Sequence, residues 1–135
     1  MRVLIADDQK SVGTTLAALV QYCQHEVVEV VGSGLEAIQA YTRHQPDVVL
    51  MDYAMPRLNG ATACRNILAR DPKAKIILVS GASLTPEIRD AGAIAILSKP
   101  VGIEPLYDAL YAAGSGGGEA PKTPPPLPNP PPEEA

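Results

Sequence analysis

The feature that most constrains this chain is a short apolar run that ends on a carboxylate, Val48–Asp52 (VVLMD). Four consecutive apolar residues, two of them β-branched, predict a strand that is buried on both faces. Pro56 follows four positions later and prevents further pairing, because proline has no backbone N–H to donate. An aspartate at the carboxyl end of a central parallel strand points to the crevice in which open α/β sheets bind ligands.

Four other apolar runs alternate with segments of helical spacing. They predict strands at 2–6, 26–31, 76–79 and 94–97, and helices over 9–23, 33–44, 59–70, 85–92 and from Glu104 onward. A capping box formed by Ser33 and Glu36 marks one helix start, and Thr85 followed by Pro86 marks another. Five strands that alternate with five helices predict an α/β fold with a doubly wound parallel sheet and right-handed crossovers.

Length and charge restrict the functions that this chain can have. The 135 residues suffice for one domain, and the net charge of −4 gives no electrostatic basis for binding nucleic acid directly. No apolar run approaches the roughly 20 residues of a membrane span. The start of the chain also lacks the features of a signal peptide, so we expect a cytoplasmic protein. Cys23 and Cys64 occupy apolar helix positions and are predicted to be reduced core thiols.

The composition changes near residue 114. Residues 114–135 contain eight of the fourteen prolines and no periodic apolar pattern. We therefore predict a domain over 1–113 and a disordered Gly/Pro-rich tail over 114–135. The segment Pro125–Pro128 fits the PxxP motif of SH3-type partners, although a solvated tail or a linker is the more common origin of such tracts.

Polar side chains follow four of the five predicted strands at the same end. Asp7 and Asp8 follow the first strand, Asp52 ends the third, Ser80 follows the fourth and Lys99 follows the fifth. Taken singly, most of these residue types more often cap turns and helices. Because parallel strands bring their carboxyl ends to one edge, the set together predicts a functional site.

The combination of side chains indicates phosphoryl chemistry. Each close pair of carboxylates costs about 4 kcal/mol at an effective dielectric of 20, and a hard divalent cation such as Mg²⁺ removes that cost. No His or Cys is placed to form a zinc site. A metal, Lys99 and Ser80 together could hold phosphoryl oxygens. Asp52 is then the candidate nucleophile, and Asp7 and Asp8 remain as metal ligands.

The pattern resembles the signature of response-regulator receiver domains. The matching residues, spread over 1 to about 113, are Asp7-Asp8, Asp52 with Pro56 and Gly60, Ser80-Gly81 and Lys99-Pro100. The resemblance implies the flavodoxin-like receiver fold with strand order 2-1-3-4-5. It also implies a phosphoacceptor of two-component signal transduction, which receives its phosphoryl group from a sensor histidine kinase or a histidine phosphotransfer protein and requires Mg²⁺.

The same resemblance assigns roles to the site residues. Asp8 would bind the metal directly, Asp7 largely through water, and the backbone carbonyl of Ala54 would join Asp52 as a further ligand. Ser80 and Lys99 would hold the phosphoryl oxygens, and the Lys99–Pro100 peptide bond would be cis. Enzymatic activity would be limited to Mg²⁺-dependent self-phosphorylation and self-dephosphorylation.

Two features depart from the family pattern. Receivers usually carry an aromatic residue three positions before the lysine of the fifth strand, and here that position is Ile96. The segment from Ser80 to Lys99 is also about one helical turn shorter than usual, which predicts a stunted fourth helix. Both departures fall on the face that receivers use for dimers and outputs.

The sequence also allows three alternative functions to be compared, and its residues argue against two of them. The departures favour a receiver-fold docking module with little phosphorylation-dependent switching. A phosphohydrolase of the haloacid-dehalogenase type requires an acid two residues after the nucleophile, where this chain has Ala54. A flavodoxin requires a Ser/Thr-rich phosphate loop after the first strand, where Asp7 and Asp8 would repel the phosphate.

Overall fold

The computed structural model describes residues 1–81 and 83–114. Its five strands are β1 Arg2–Ala6, β2 Glu26–Val31, β3 Val48–Asp52, β4 Ile76–Ser80 and β5 Ala95–Ser98. Its five helices are α1 Lys10–Tyr22, α2 Gly34–His44, α3 Gly60–Arg70, α4 Pro86–Arg89 and α5 Ile103–Gly114. Strands and helices alternate along the chain, as the apolar runs predict.

The strands form one parallel sheet in the order β2-β1-β3-β4-β5. The fold class and the strand order are thus confirmed. Every residue of β3 and β4 is buried, which explains why both strands are continuous apolar runs. The central position of β3 brings Asp52 to the middle of the carboxyl edge.

Alternate residues of the central strands enter two separate apolar cores. Val49 and Met51 pack on the side of α2, α3 and α4. Val48 and Leu50 pack on the side of α1 and α5. Cys23 and Cys64 are buried, one in each core, and neither forms a disulfide. Burial raises the pKa of the Cys64 thiol to about 11, so it stays protonated at neutral pH.

Side-chain caps fix the starts of the helices near the site edge. Ser33 Oγ accepts the backbone N–H of Glu36 at 3.1 Å, which confirms Ser33 as the cap. Glu36 Oε2 accepts the N–H of Gly32 at 2.9 Å and not that of Ser33, so the predicted capping box is shifted by one residue. Thr85 Oγ1 accepts the N–H of Ile88 at 3.3 Å and begins α4. This helix has only four residues, which confirms that it is stunted, and it ends at Arg89, earlier than the predicted end at residue 92.

The remaining predictions concern membrane spans and the end of the chain. Within the described residues, no helix has the length and apolar character needed to cross a membrane. α5 ends at Gly114, one residue beyond the predicted domain boundary. The predicted disordered tail and its PxxP segment lie outside the described residues from 115 onward.

Candidate functional site

The carboxyl edge of the sheet gathers the polar residues that follow the strands. Asp7 comes directly after β1, Asp52 and Ser80 end β3 and β4, and Lys99 comes directly after β5. The parallel register pairs Asp52 with Val79 and Ser80 with Ser98, so these strand ends are level. The predicted clustering at one edge is therefore what the fold produces.

The three aspartates differ in exposure. Asp7 and Asp52 are each 2% exposed, whereas Asp8 is exposed to solvent. One carboxylate oxygen of each residue lies within 4.8 Å of the others. One Asp7 oxygen, Oδ1, accepts the backbone N–H of Gln9 at 2.8 Å, which fixes the carboxylate at the start of the loop. The arrangement suits a hard cation that is reached from solvent on the Asp8 side.

Lys99 is shared between the two buried carboxylates. Its Nζ lies 3.1 Å from Asp52 Oδ1 and 3.4 Å from Asp7 Oδ2. Both oxygens are buried, and no donor other than Lys99 reaches either of them among the described residues. One ammonium thus opposes two buried negative charges, and a negative excess remains at the edge.

The pKa values of Asp52 and Lys99 reflect this imbalance. Burial raises the pKa of Asp52, the ion pair with Lys99 opposes the rise, and the charge of Asp7 adds to it, so the net shift is upward. Burial alone would lower the pKa of Lys99, but Asp52 and Asp7 hold it above its ordinary value. A divalent cation would offset the cost of keeping Asp52 ionised in this buried position.

The loop after Asp52, residues 53–59, is called the Asp52 loop, and backbone hydrogen bonds fix its position. The Tyr53 N–H donates to the Val79 carbonyl at 2.8 Å, and the Gly60 N–H donates to the Tyr53 carbonyl at 2.8 Å. A Cβ atom on Gly60 would lie 2.3 Å from the Asp52 carbonyl oxygen, so only glycine fits there. Ala54 lies in this loop, and its backbone amide helps to lower the pKa of Asp52. Metal coordination by the Ala54 carbonyl stays a prediction.

Next to Ser80, the site adjoins a cavity between α4 and β5. Ser80 is 5% exposed, and Ile96 on β5 is half-buried. Between α4 and β5 lies a cavity of about 200 Å³, lined by Ser80, Leu84, Ile88, Ile96, Leu97 and Ser98. The Lys99–Pro100 peptide bond is cis, as the resemblance implies.

Sequence reasoning missed one set of contacts at the site. The Tyr53 hydroxyl donates to Glu87 Oε2 at 2.8 Å, and Asn59 Nδ2 donates to Glu87 Oε1 at 3.0 Å. Tyr53 and Glu87 are 34 positions apart and belong to no shared motif. No signal in the sequence pairs them, since polar residues at loop and helix positions are common.

Comparison with known proteins tests the resemblance to receiver domains. A family model of the response regulator receiver domain matches residues 3–111. The chain belongs to this receiver family. It is thus a receiver-domain response regulator of two-component systems.

Two curated relatives illustrate the range of proteins that contain this receiver domain. The transcriptional regulatory protein PdtaR of Mycobacterium tuberculosis is 37% identical over 116 residues, which cover 84% of this chain and 57% of that protein. The chemotaxis protein CheY of Listeria monocytogenes is 34% identical over 116 residues, which cover 84% of this chain and 98% of CheY. The chain therefore corresponds to just over half of PdtaR and to nearly all of CheY.

Solved receiver structures share the fold. A LuxR-family two-component response regulator from Aurantimonas is 26% identical with a TM-score of 0.79, covering 85% of each chain. The CheX–CheY complex with BeF₃ and Mg²⁺ from Borrelia burgdorferi matches with a TM-score of 0.79 at 24% identity, covering 84% of this receiver and 89% of that chain. At this identity, the second likeness concerns the fold alone.

Membership of the receiver family indicates which chemistry to expect at the carboxyl edge of the sheet. Receiver domains interact with histidine kinases or phosphotransfer proteins, and they typically bind Mg²⁺ in an acidic pocket. In this receiver the carboxylates fit such an ion, because one oxygen each of Asp7, Asp8 and Asp52 lies within 4.8 Å of the others and the single ammonium of Lys99 does not balance their charge. The carboxylates of the edge are hard oxygen ligands of the kind that Mg²⁺ prefers.

Proposed function

We propose that this receiver is a phosphoacceptor that takes a phosphoryl group from a phosphohistidine onto Asp52. The observation that carries the proposal is the position of Asp52: it is 2% exposed at the centre of the edge, with Lys99 Nζ 3.1 Å from its Oδ1. Asp7 and Asp8 lie beside it. The phosphoryl donor is a sensor histidine kinase or a histidine phosphotransfer protein.

In the proposed reaction an Asp52 carboxylate oxygen attacks the phosphorus atom. A new P–O bond forms as the P–N bond to the donor histidine breaks, and the imidazole nitrogen leaves with the bonding electron pair. Lys99 offers its ammonium to the phosphoryl oxygens, and Ser80 is placed at the neighbouring strand end to donate its hydroxyl. Mg²⁺, held by Asp7, Asp8, Asp52 and the Ala54 carbonyl, would neutralise charge on the carboxylates and the incoming group.

The direct test is mass spectrometry of the intact chain after incubation with acetyl phosphate. We expect the mass of one phosphoryl group to be added in the presence of Mg²⁺ and not in its absence. The Asp52→Asn variant should gain nothing, because an amide is not a nucleophile here. Phosphate recovered on Ser80, or label that persists in Asp52→Asn, would contradict the assignment.

The metal site makes a separate prediction about stability. Mg²⁺ that binds the folded receiver and not the unfolded chain should raise the melting temperature by mass action. We expect the increase to grow over 10-fold steps around the millimolar range, because much of the metal shell remains water. Backbone amide shifts of Asp8 and Asp52 in NMR spectra should follow the same titration. A flat response in both measurements would exclude the metal site.

A second candidate function is a docking module that switches little on phosphorylation. The four-residue α4 and the half-buried Ile96 favour it, because an aliphatic side chain can stay packed in either state. A modification shifts a conformation only through a difference in interaction between the two states. With Ile96 in place of an aromatic ring, one such difference is missing.

Beryllofluoride, a phosphoryl mimic, distinguishes the two candidates. On adding it with Mg²⁺ we expect large amide shifts at 7–8, 52–60 and 80–85, and small shifts at 94–97 and 103–111. This pattern corresponds to a site that tightens while β5 and α5 stay in place. Large shifts across the second set, or dimerisation through it, would show that Ile96 does not uncouple the standard switch.

A further inference from the structure

Glu87, in the first turn of α4, is the meeting point of three side chains from other elements. Its Oε2 accepts the Tyr53 hydroxyl at 2.8 Å, and its Oε1 accepts Asn59 Nδ2 at 3.0 Å. Arg65 on α3 adds a weaker ion pair, with Nη2 3.9 Å from Glu87 Oε1. One carboxylate therefore connects α4 to the loop after β3 and to α3.

The partners of Glu87 belong to the backbone that carries Asp52. Tyr53 is the next residue after Asp52, and its backbone N–H and carbonyl are both bonded, to Val79 and Gly60. Asn59 caps α3 by accepting the Thr62 N–H at 2.9 Å. A displacement of the loop beside Asp52 therefore moves the atoms to which Glu87 is bonded.

Apart from Glu87, α4 is held by the packing of its apolar side chain. A helix of four residues has almost no stability of its own, so contacts with the rest of the domain fix its position. Ile88 anchors it in the core shared with α3, where it is fully buried. Toward β5, Leu84, Ile88 and Ile96 line the cavity of about 200 Å³. The polar contacts of Glu87 thus attach α4 to the loop after Asp52 and to α3, and the cavity lies on the β5 side.

We propose that Glu87 is a positioning residue that couples α4 to the Asp52 loop through Tyr53, independently of Ile96. The proposal rests on the proposed phosphoacceptor function. A phosphoryl group on Asp52 adds negative charge and volume next to Tyr53, and the 2.8 Å bond from the Tyr53 hydroxyl transmits the adjustment to Glu87. Coupling of this kind is reciprocal, so a partner that holds α4 would also change the affinity of Asp52 for a phosphoryl mimic.

The test is the amide shift change on adding beryllofluoride and Mg²⁺ to the full chain. In the wild type we expect changes at 52–60 and also at 86–89. Tyr53→Phe removes only the hydroxyl, and Glu87→Ala removes the carboxylate. Both variants should keep the changes at 52–60 and reduce those at 86–89 at least twofold. Asp90→Ala is the matched control, because it removes an exposed carboxylate at the end of α4 that forms no hydrogen bond or ion pair with any described residue.

The outcomes separate this proposal from the function on which it rests. Changes at 52–60 without changes at 86–89 in the wild type would overturn the coupling and leave the phosphoacceptor function intact. Equal changes at 86–89 in Tyr53→Phe, Glu87→Ala and wild type would show that α4 moves by another route. No change at 52–60 in the wild type would overturn both.

Discussion

Replacing Lys99 with methionine should destabilise the domain by about 3–5 kcal/mol and abolish phosphorylation of Asp52. The ammonium of Lys99 is the cation that faces both Asp7 Oδ2 and Asp52 Oδ1, at 3.4 and 3.1 Å. Methionine keeps most of the side-chain volume and removes the charge, so two buried carboxylates lose their partner. Urea denaturation at neutral pH without Mg²⁺ measures the loss, and acetyl phosphate labelling measures the reaction.

Two controls identify the cause. Lys73→Met makes the same substitution at an exposed lysine and should change the free energy of unfolding by less than about 0.5 kcal/mol. Lys99→Met combined with Asp52→Asn should recover part of the stability, because one buried charge is removed. If Lys99→Met lowered the free energy of unfolding no more than Lys73→Met does, the ion pairs with Asp7 and Asp52 would contribute nothing measurable to stability.

The destabilisation of Lys99→Met should also depend on pH. Burial raises the pKa of Asp52, and Lys99 is the main group that opposes the rise, so its removal raises the folded-state pKa further. A carboxyl whose pKa is higher in the folded state contributes stability below its unfolded pKa and loses it as pH rises through the folded value. The difference in the free energy of unfolding between Lys99→Met and the wild type should therefore narrow as pH falls toward about 4.

Strand positions could be predicted from the sequence because each strand is an apolar run that ends on a polar residue. β1, β2 and β3 begin and end where the runs do. β5 lies one residue later than predicted, at 95–98, since Ser98 pairs with Ser80 in the sheet. The strand order came from the family resemblance, because alternation of strands and helices does not determine which strands are neighbours.

The residues that share the carboxyl edge of the sheet could be predicted from the sequence, but the distances between their side chains could not. Strand ends show which residues share an edge, and they give no distances between side chains. The consecutive aspartates illustrate this limit, since Asp7 is 2% exposed and Asp8 is exposed. The sharing of Lys99 by Asp7 and Asp52, and the contact between Tyr53 and Glu87, also depend on side-chain positions that no local pattern encodes.

Gly60→Ala should cost about 3 kcal/mol of stability and slow phosphorylation of Asp52. The new Cβ atom would meet the Asp52 carbonyl oxygen at 2.3 Å and the Asp52 carbonyl carbon at 2.9 Å. These are backbone atoms that cannot rotate away, so the cost falls at the upper end of overpacking substitutions. To relieve the clash, α3 must move away from β3, and the Gly60–Tyr53 hydrogen bond that holds the Asp52 loop must lengthen.

Gly32→Ala separates this steric effect from the general effect of removing a glycine. A Cβ atom on Gly32 would meet Glu36 Oε2 at 3.7 Å, which is an ordinary contact. We expect Gly32→Ala to match the wild type within about 0.5 kcal/mol in urea denaturation. If Gly60→Ala were equally stable and equally phosphorylated, the close approach of α3 to Asp52 would not be what holds the nucleophile in place. A stable Gly60→Ala variant with slow phosphorylation would instead show that the loop relaxes at the expense of Asp52 positioning alone.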